Sequence, residues 1–550
     1  MKRSIKILCL LTAIILVIAL FSGCSKDEKV TPSAPVASKE PVQTPDSSSD
    51  DEQDEGDGTF KLPIVEEPLT LSMWFPLSGI QTTVISDYGE VTANKMLAER
   101  TGITIDYIHP ASGQELTSYN LLITSGDYPD MIYHGSVTYN GGWDKAVEDG
   151  IYLKLNDYIE QYAPNYQAIR DISDEHRKMS ITDSGTMYGF HEMMTEREPT
   201  WTGLGIRKDW LDDLNLEMPS TIDDWTKVLT AFKDEKGAEA PLMIPTNGKF
   251  LSSEFCSAWG IGTDFYQVNG EVRFGPVMDE YKEYLNLMRG WYSDRLLDKD
   301  FTTRTDMTGT GAPSNMTGTG KTGAFPAVWG ACHDVSVQNN TTDDPNYWLE
   351  PIVAPTLQEG EKVQFRSMSY QVRAATSIFA TTEHPVECIK WLDYRYTQEA
   401  TDLMWWADET VHYIDENGDR RFTDMMLNDP NGLNFYQTTS LHLGKGCIGI
   451  HDWHVMRTVY PQELLDVCLV WDSQGYDYVL PPITLTADEG ERVVNNLNDI
   501  NTLVEEYTVK CITGADTLDR FDEFVAKIYE MGIEDILEVY QVALNRYNSR

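Results

Sequence analysis

The chain has 550 residues, 87 acidic against 43 basic, for a formal charge of −44. Such acidity repels phosphate backbones and anionic bilayer surfaces, and so argues against nucleic acid as a partner. Hydrophobic residues make up 41 % and aromatic residues 11 %, enough apolar matter for a large core spread over two or more lobes.

Lys2, Arg3 and Lys6 precede an apolar run over 7–20. A basic start and a run of that length predict a secretory signal peptide over 1–23, short of the about 20 residues a spanning helix needs. The run ends Phe21-Ser22-Gly23-Cys24, which resembles a bacterial lipobox, with Phe21 where Leu is usual. The expectation is cleavage before Cys24, acylation of that residue, and a lipid anchor on the extracellular face of the membrane of a Gram-positive cell. The alternative is an ordinary signal that leaves Cys24 as a spare thiol. Cleavage removes three positive charges and leaves the mature chain near −47. Residues 24–60 are rich in Ser, Pro, Asp and Glu and offer almost nothing to bury, which predicts a disordered acidic tether with a reach of roughly 30–36 Å.

Beyond the tether, 69–75 reads as a buried first strand. Residues 94–100 are helical and stopped by Gly102, 103–107 alternates as a second strand, 116–124 is helical, and Met131-Ile132-Tyr133 is a third strand. This alternation predicts βαβ units and a mostly parallel sheet, with any ligand at the carboxyl ends of the strands, near Trp74 and His134. A second α/β stretch begins after Tyr188. It has helices over 210–215 and 222–233, the latter capped by Ser220 or Thr221, and a strand over 323–329. A strand over 369–379, a helix over 385–395 and a hairpin turning at Asn417-Gly418 follow, and the chain from Ala487 onward is mainly helical.

Cys256, Cys332, Cys388, Cys447, Cys468 and Cys511 contain no C-x-x-C pair and read as buried thiols in a core that needs no staple. His451 and His454 lack further ligands at readable spacing, so no metal is expected there. The glycine-rich stretch 317–323 lacks the first glycine of a phosphate loop, since Asn315 occupies that position, and no nucleotide or other cofactor is expected.

Several stretches, in order, resemble the family 1 extracellular solute-binding proteins of carbohydrate ABC transporters, in the long lipoprotein subgroup common in Gram-positive bacteria. They are 121–130 (through Gly126-Asp127-Tyr128-Pro129-Asp130), 146–150, 155–159, 162–165, Met187-Tyr188-Gly189-Phe190, 206–211 (with Arg207-Lys208-Asp209-Trp210), 407–413 and 510–514. The similarity runs from about Leu69 to Tyr547. It implies an α/β, bilobal, periplasmic-binding-protein-like fold of type II, two α/β lobes joined by hinge crossings. The first lobe comes from 66–187 and 372–449, the second from 188–371 and 450–550. It further implies a monomer that captures an oligosaccharide in the interlobe cleft and delivers it to ABC permease subunits, touching the membrane through its lipid anchor only. Members of the subgroup often carry a calcium-binding loop after a Phe-Lys-Asp helix end. Here the stretch 232–242 is short, poor in spaced oxygens and interrupted by Lys236, so no calcium is expected.

Sugar rings present C–H faces to aromatic platforms and edge hydroxyls to planar polar groups. Of the 14 Trp, position singles out Trp74 at the end of the first strand, Trp143 in the glycine-rich loop after the third strand, Trp201 before Arg207, Trp259 and Trp329 in loops of small residues, and Trp453 near the third crossing. Trp405 and Trp406 are adjacent, so at most one can face a cleft, and Trp406 is the candidate. Asp130, His134 and Arg207 are the polar candidates, with an ion pair to Asp209 or Glu196 as the competing role for Arg207. A glycoside hydrolase would need two carboxylates about 5–10 Å apart, which counting cannot refute, but no nucleophile elbow or H-E-x-x-H zinc motif appears. A tethered sugar sensor would use the same cleft with a different membrane partner.

Overall fold

A computed structural model describes residues 61–135, 137–244, 253–303, 320–332, 346–365, 370–444, 448–459 and 462–550. The signal segment, Cys24, the tether, Cys447 and most of the 317–323 stretch lie outside the described residues. In chain order the strands are β1 (Leu69–Trp74), β2 (Ile103–Ile108), β3 (Met131–Tyr133), β4 (Phe190–Met193), β5 (Thr202–Arg207), β6 (Ala240–Leu242) and β7 (Phe265–Val268). They continue with β8 (Glu271–Phe274), β9 (Thr322–Val328), β10 (Leu349–Ile352), β11 (Val372–Ile378), β12 (His412–Ile414) and β13 (Arg420–Phe422).

Local sequence explains the elements. In β2 the side chains alternate strictly between core and solvent, the period-2 pattern of Ile103, Ile105 and Tyr107. The helix Thr92–Thr101 ends where Gly102 turns left-handed and returns its N–H to the Ala98 carbonyl. The helix Ile222–Lys236 starts at a capping box in which Thr221 and Asp224 satisfy each other's backbone N–H. Five described cysteines, Cys256, Cys332, Cys388, Cys468 and Cys511, are free and buried.

The first lobe is a five-stranded sheet in the order β2-β1-β3-β11-β4, and the second a four-stranded sheet in the order β10-β5-β9-β6. Each has its own core, around Met73, Phe190, Ile378 and Trp391 in the first and Ile206, Trp225, Phe232 and Trp291 in the second. The sequence suggested a mostly parallel sheet, and in the first sheet β2, β1, β3 and β4 do share one direction; each sheet also holds one strand that runs against its neighbours. In the first, β11 runs antiparallel to both neighbours, and in the second β5 does. The reason is topological: β5 and β11 are the strands that arrive from the opposite lobe. They enter at the edge where their neighbours end, so they run away from it.

The chain crosses between lobes three times, and the crossings are hydrogen-bonded side by side. Met193 N–H donates to the Gly449 carbonyl at 3.0 Å, His451 N–H to the Met193 carbonyl at 2.8 Å, and Met194 N–H to the Gln371 carbonyl at 2.8 Å. Because β4 is an edge strand of the first sheet, the first crossing follows Met193 and not Tyr188. The other two stretches that join the sheets pass through Gln371 and Gly449. Two glycines permit this packing. Gly449 has φ +106, and a Cβ there would lie 2.5 Å from the Arg395 carbonyl. A Cβ on Gly203 would lie 2.5 Å from the Trp471 ring, whose Nε1 donates to the Leu204 carbonyl at 3.0 Å. This seats the helix Gln462–Asp472 against β5.

The C-terminal helices, Ala487–Thr513, Phe521–Glu530 and Ile533–Ser549, complete the second-lobe core and also touch the first lobe. Arg546 pairs with Glu489 at 2.5 Å and reaches Asp183 at 2.7 Å, and Asp183 also holds Arg550.

Gly449→Ala should lower stability by about 2–4 kcal/mol, since it adds both backbone strain and a steric clash. Gly290→Ala, in the helix Asp279–Ser293 with nothing within 4 Å of its Cβ position, should raise it by about 0.5–1 kcal/mol. Urea unfolding of both variants measures the opposite signs. A second test concerns Asp393, fully buried, which accepts from Tyr166 N–H and Asn165 Nδ2, both at 2.8 Å. Burial pushes its carboxyl up to about 6, so its contribution is full below the unfolded value near 4 and is lost as pH rises through 6. Relative to Asp393→Asn, the parent should lose about 3 kcal/mol between pH 4 and pH 7 in urea titrations.

Candidate ligand-binding site

The carboxyl ends of β1, β3 and β4 form one edge of the first sheet, and the start of β5 with the ends of β9 and β10 forms the facing edge of the second. The three crossings lie between these edges as the floor of a cleft. Side chains from all three meet there in an ionic cluster. Arg373, one residue into β11, lies 3.5 Å from Glu192 Oε1 and also pairs with Glu198. His451 Nδ1 is 3.0 Å from Glu192 Oε1, and its Nε2 is 3.9 Å from Glu198 Oε1. The Glu192 and Glu198 side chains are only 9 % and 8 % exposed, and Arg373 is 26 % exposed, so the cation is the part of the cluster nearest solvent. Two further pairs flank it, Arg197–Asp472 at 2.9 Å and Arg457–Glu196 at 2.5 Å. Asp472 also accepts from the Thr200 N–H and hydroxyl, both within 3.3 Å, which pins the first crossing to the helix that ends at Asp472.

Three of the tryptophans singled out by sequence come together above this floor. Trp329, at the end of β9, donates its N–H to the Trp201 carbonyl at 2.9 Å. Its ring meets Trp453 edge-on, with centroids 6.0 Å apart. Trp329 and Trp453 are buried, whereas Trp201, just before β5, is 41 % exposed. A half-exposed indole beside fixed carboxylate acceptors and guanidinium donors suits a ligand with an apolar ring face and hydroxylated edges.

The structure places the other sequence candidates elsewhere. Trp74 ends β1 at the rim, but its ring turns inward against Tyr119 and is buried. His134 is buried, shares a 2.8 Å hydrogen bond with the Ser377 hydroxyl, and packs against Trp143 with centroids 4.4 Å apart. Burial, reinforced by nearby His191, drives its pKa down to about 3, so the ring is neutral. Asp130 sits at the amino end of β3, away from the cleft edge, and accepts from Ser72 N–H, Ser72 Oγ and Thr382 Oγ1 at 2.6–2.8 Å. Burial would raise its pKa, but these bonds outweigh burial and hold it below the usual range. Arg207 occupies the far end of β5, fully buried. It is bonded to both Asp209 oxygens at 2.8 and 2.6 Å and sandwiched between the Trp210 and Tyr347 rings at 4.4 Å each. That is the ion-pair role the sequence left open. Trp259 packs half-buried on the second-lobe core against Tyr284. Trp406 is core beneath β13, against Phe422, and its neighbour Trp405 is the one that reaches the crossing. Trp405 Nε1 donates to the Ile450 carbonyl at 3.0 Å and the ring meets His451 edge-on.

Sequence reasoning missed Glu192, Glu198 and Arg373. A glutamate within the wholly buried strand β4 was the one available signal, because a charge at such a position demands a partner. Trp143 stacks on Tyr188 with centroids 4.6 Å apart and planes within 7°, which extends the aromatic surface along the first-lobe rim. The stretch after the helix Ile222–Lys236 is three residues long before β6, and Lys236 is paired with Asp213 at 2.7 Å. Among the described residues no group of three or more His, Cys, Asp or Glu could hold a metal, and no helix is long and apolar enough to cross a membrane.

Comparison with known proteins follows the same lines. The profile of the bacterial extracellular solute-binding proteins matches residues 87–402. The fructooligosaccharide ABC transporter substrate-binding protein FusA of Streptococcus pneumoniae is 24 % identical over 511 residues, covering 84 % of this chain and 88 % of that protein. The polygalacturonan/rhamnogalacturonan-binding protein YtcQ of Bacillus subtilis is 23 % identical over 464 residues, covering 82 % and 88 %. The solved structure of FusA in complex with kestose superposes with a TM-score of 0.71 at 20 % identity, over 87 % of this chain and 99 % of that one. The shared architecture is the bilobal α/β fold.

Arg373→Met should cost about 3–5 kcal/mol, because it leaves Glu192 and Glu198 buried without their guanidinium. Arg373→Lys should recover part of that loss. Chemical unfolding of the two variants compares them, and equal stability of Arg373→Met and the parent would remove the cluster from the account of the hinge.

Proposed function

This chain belongs to the bacterial extracellular solute-binding proteins, and from that premise we propose that it captures an oligosaccharide between its lobes and delivers it to the permease of an ABC transporter. The family binds solutes and is not enzymatic, so the carboxylates at the cleft floor serve binding and hinge geometry, not catalysis. The observation that carries the reading is the Trp329–Trp453 ring contact, with Trp201 bonded to Trp329 through the backbone at the cleft edge of the second sheet, together with the ion pairs of the crossings. The aromatic face and the polar floor are the two halves of a sugar site. Supporting it, two relatives with matching length are named for oligosaccharide or polysaccharide ligands.

The signal peptide and Cys24 supply the rest of the proposal: a monomer tethered by lipid to the outer face of the cell, its binding unit held off the bilayer by residues 24–60. The tether's acidity and reach keep that unit mobile above the membrane, where it can meet both ligand and permease.

The test uses the compact unit Phe60–Arg550 against a panel of oligosaccharides, with thermal shift and reducing-end release measured in the same wells. A ligand at 100 times its Kd stabilises by about 2.7 kcal/mol, which is readily seen as a rise in Tm. A rise without new reducing ends supports the proposal, and new reducing ends or a response only to other solutes refute it. Trp201→Ala should weaken the sugar that binds by roughly tenfold or more, about 1.4 kcal/mol, and leave the ligand-free Tm nearly unchanged, because the exposed ring contributes little to packing.

A further inference from the structure

We infer that the cleft is built for an uncharged oligosaccharide and rejects uronates. This rests on the sugar-binding reading above and narrows it to one class of ligand. Family membership leaves the question open, since one relative is named for a fructooligosaccharide and another for a polygalacturonan.

The argument is an accounting of charge at the floor. A site for uronates needs a cation whose donors remain available to the sugar carboxylate, usually a guanidinium offering two parallel N–H bonds. Among the described residues of the crossings, each guanidinium is already committed to a carboxylate of the protein. Arg373 is held by Glu192 and Glu198, Arg197 by Asp472, and Arg457 by Glu196. Four carboxylates therefore face three guanidiniums, and two of the four are more than nine-tenths buried, where salt screens them poorly. Arg207, the cation that sequence alone offered for a uronate, is locked to Asp209 at the far end of β5. A uronate could gain Arg373 only by displacing Glu198 or Glu192, and the displaced carboxylate would stay buried without a partner. The chain's overall charge of −44 adds long-range repulsion of any acidic glycan. A neutral sugar meets none of these barriers. Its hydroxyls can donate to the carboxylates while every ion pair stays in place, and its ring face can lie on Trp201.

Isothermal titration of Phe60–Arg550, the unit with its own two cores, tests this with matched trimers. These are kestose, maltotriose and xylotriose as neutral probes and trigalacturonate and an alginate trimer as uronates, backed by an array of longer neutral and uronate glycans. The expected result is binding to a neutral glycan whose Kd changes less than twofold between 20 and 500 mM NaCl, with no uronate binding at 1 mM. A uronate that binds as tightly as any neutral glycan, with affinity falling as salt rises, overturns this inference and leaves the sugar-binding proposal standing. Failure of every glycan of both classes overturns the two together. Glu198→Gln releases one carboxylate from Arg373 and should raise uronate affinity at least tenfold. Should that variant fail to fold, Asp472→Asn, which releases the 42 % exposed Arg197, should do the same. Unchanged uronate affinity in the folded variant removes these carboxylates from the role of excluding acidic sugars.

Discussion

The backbone of Met193 ties the molecule together. Its N–H and carbonyl are both spent on the third crossing, at Gly449 and His451, while the next N–H is spent on the second crossing at Gln371. Three strands that belong to different parts of the sequence thus become one short ladder between the lobes. Each bond is worth about 1 kcal/mol net, but leaving any of these groups unpaired in a buried hinge would cost more than making it returns.

The ionic cluster follows from that ladder. Once the crossings are side by side, Glu192, Glu198, Arg373 and His451 project into one small volume, and none of them could be stable there alone. Buried ion pairs rarely add net stability compared with apolar packing of the same shape, but they fix geometry, because one arrangement satisfies all the charges. A hydrophobic hinge floor would hold the lobes together equally well and would give a polar ligand nothing to bond. The charged floor gives up some stability and gains directional donors and acceptors at the place where the cleft is narrowest.

Local pattern in the sequence was sufficient for most elements. Alternation found β2, Gly102 marked the end of the helix before it, a capping residue at 220 or 221 marked the start of the helix Ile222–Lys236, and Asn417-Gly418 marked the β12–β13 turn. The reading passed over a second hairpin, β7–β8, although Asn269-Gly270 carries the same signal. Strand direction in the two sheets was not legible, because it depends on which lobe a strand arrives from. The cluster was hidden for a related reason: Glu192 and His451 are 3.0 Å apart in space and separated by the whole of the second sheet in sequence. The tryptophans divide along the same line. Trp201 and Trp453 were chosen for nearby crossings, and Trp329 and Trp259 for small-residue loops, of which Trp259 packs on the second-lobe core instead. Trp74 and Trp406 were chosen for position alone, and a side chain at the end of a strand or helix can turn to either side. The helical phase that sends Trp405 to Ile450 and Trp406 to Phe422 is fixed by packing that no local window contains.

The strand order β2-β1-β3-β11-β4 also dictates a sequence of events during synthesis. β3 and β4 do not touch; the slot between them is filled by β11, which emerges only after the entire second sheet has been made. The first sheet must therefore remain divided, with β4 unpaired on its inner side, while β5, β6, β9 and β10 are free to assemble as each leaves the ribosome or the secretion channel. The sheet that begins first is the sheet that finishes last, and its completion waits on contacts of high sequence separation, the slow class in folding.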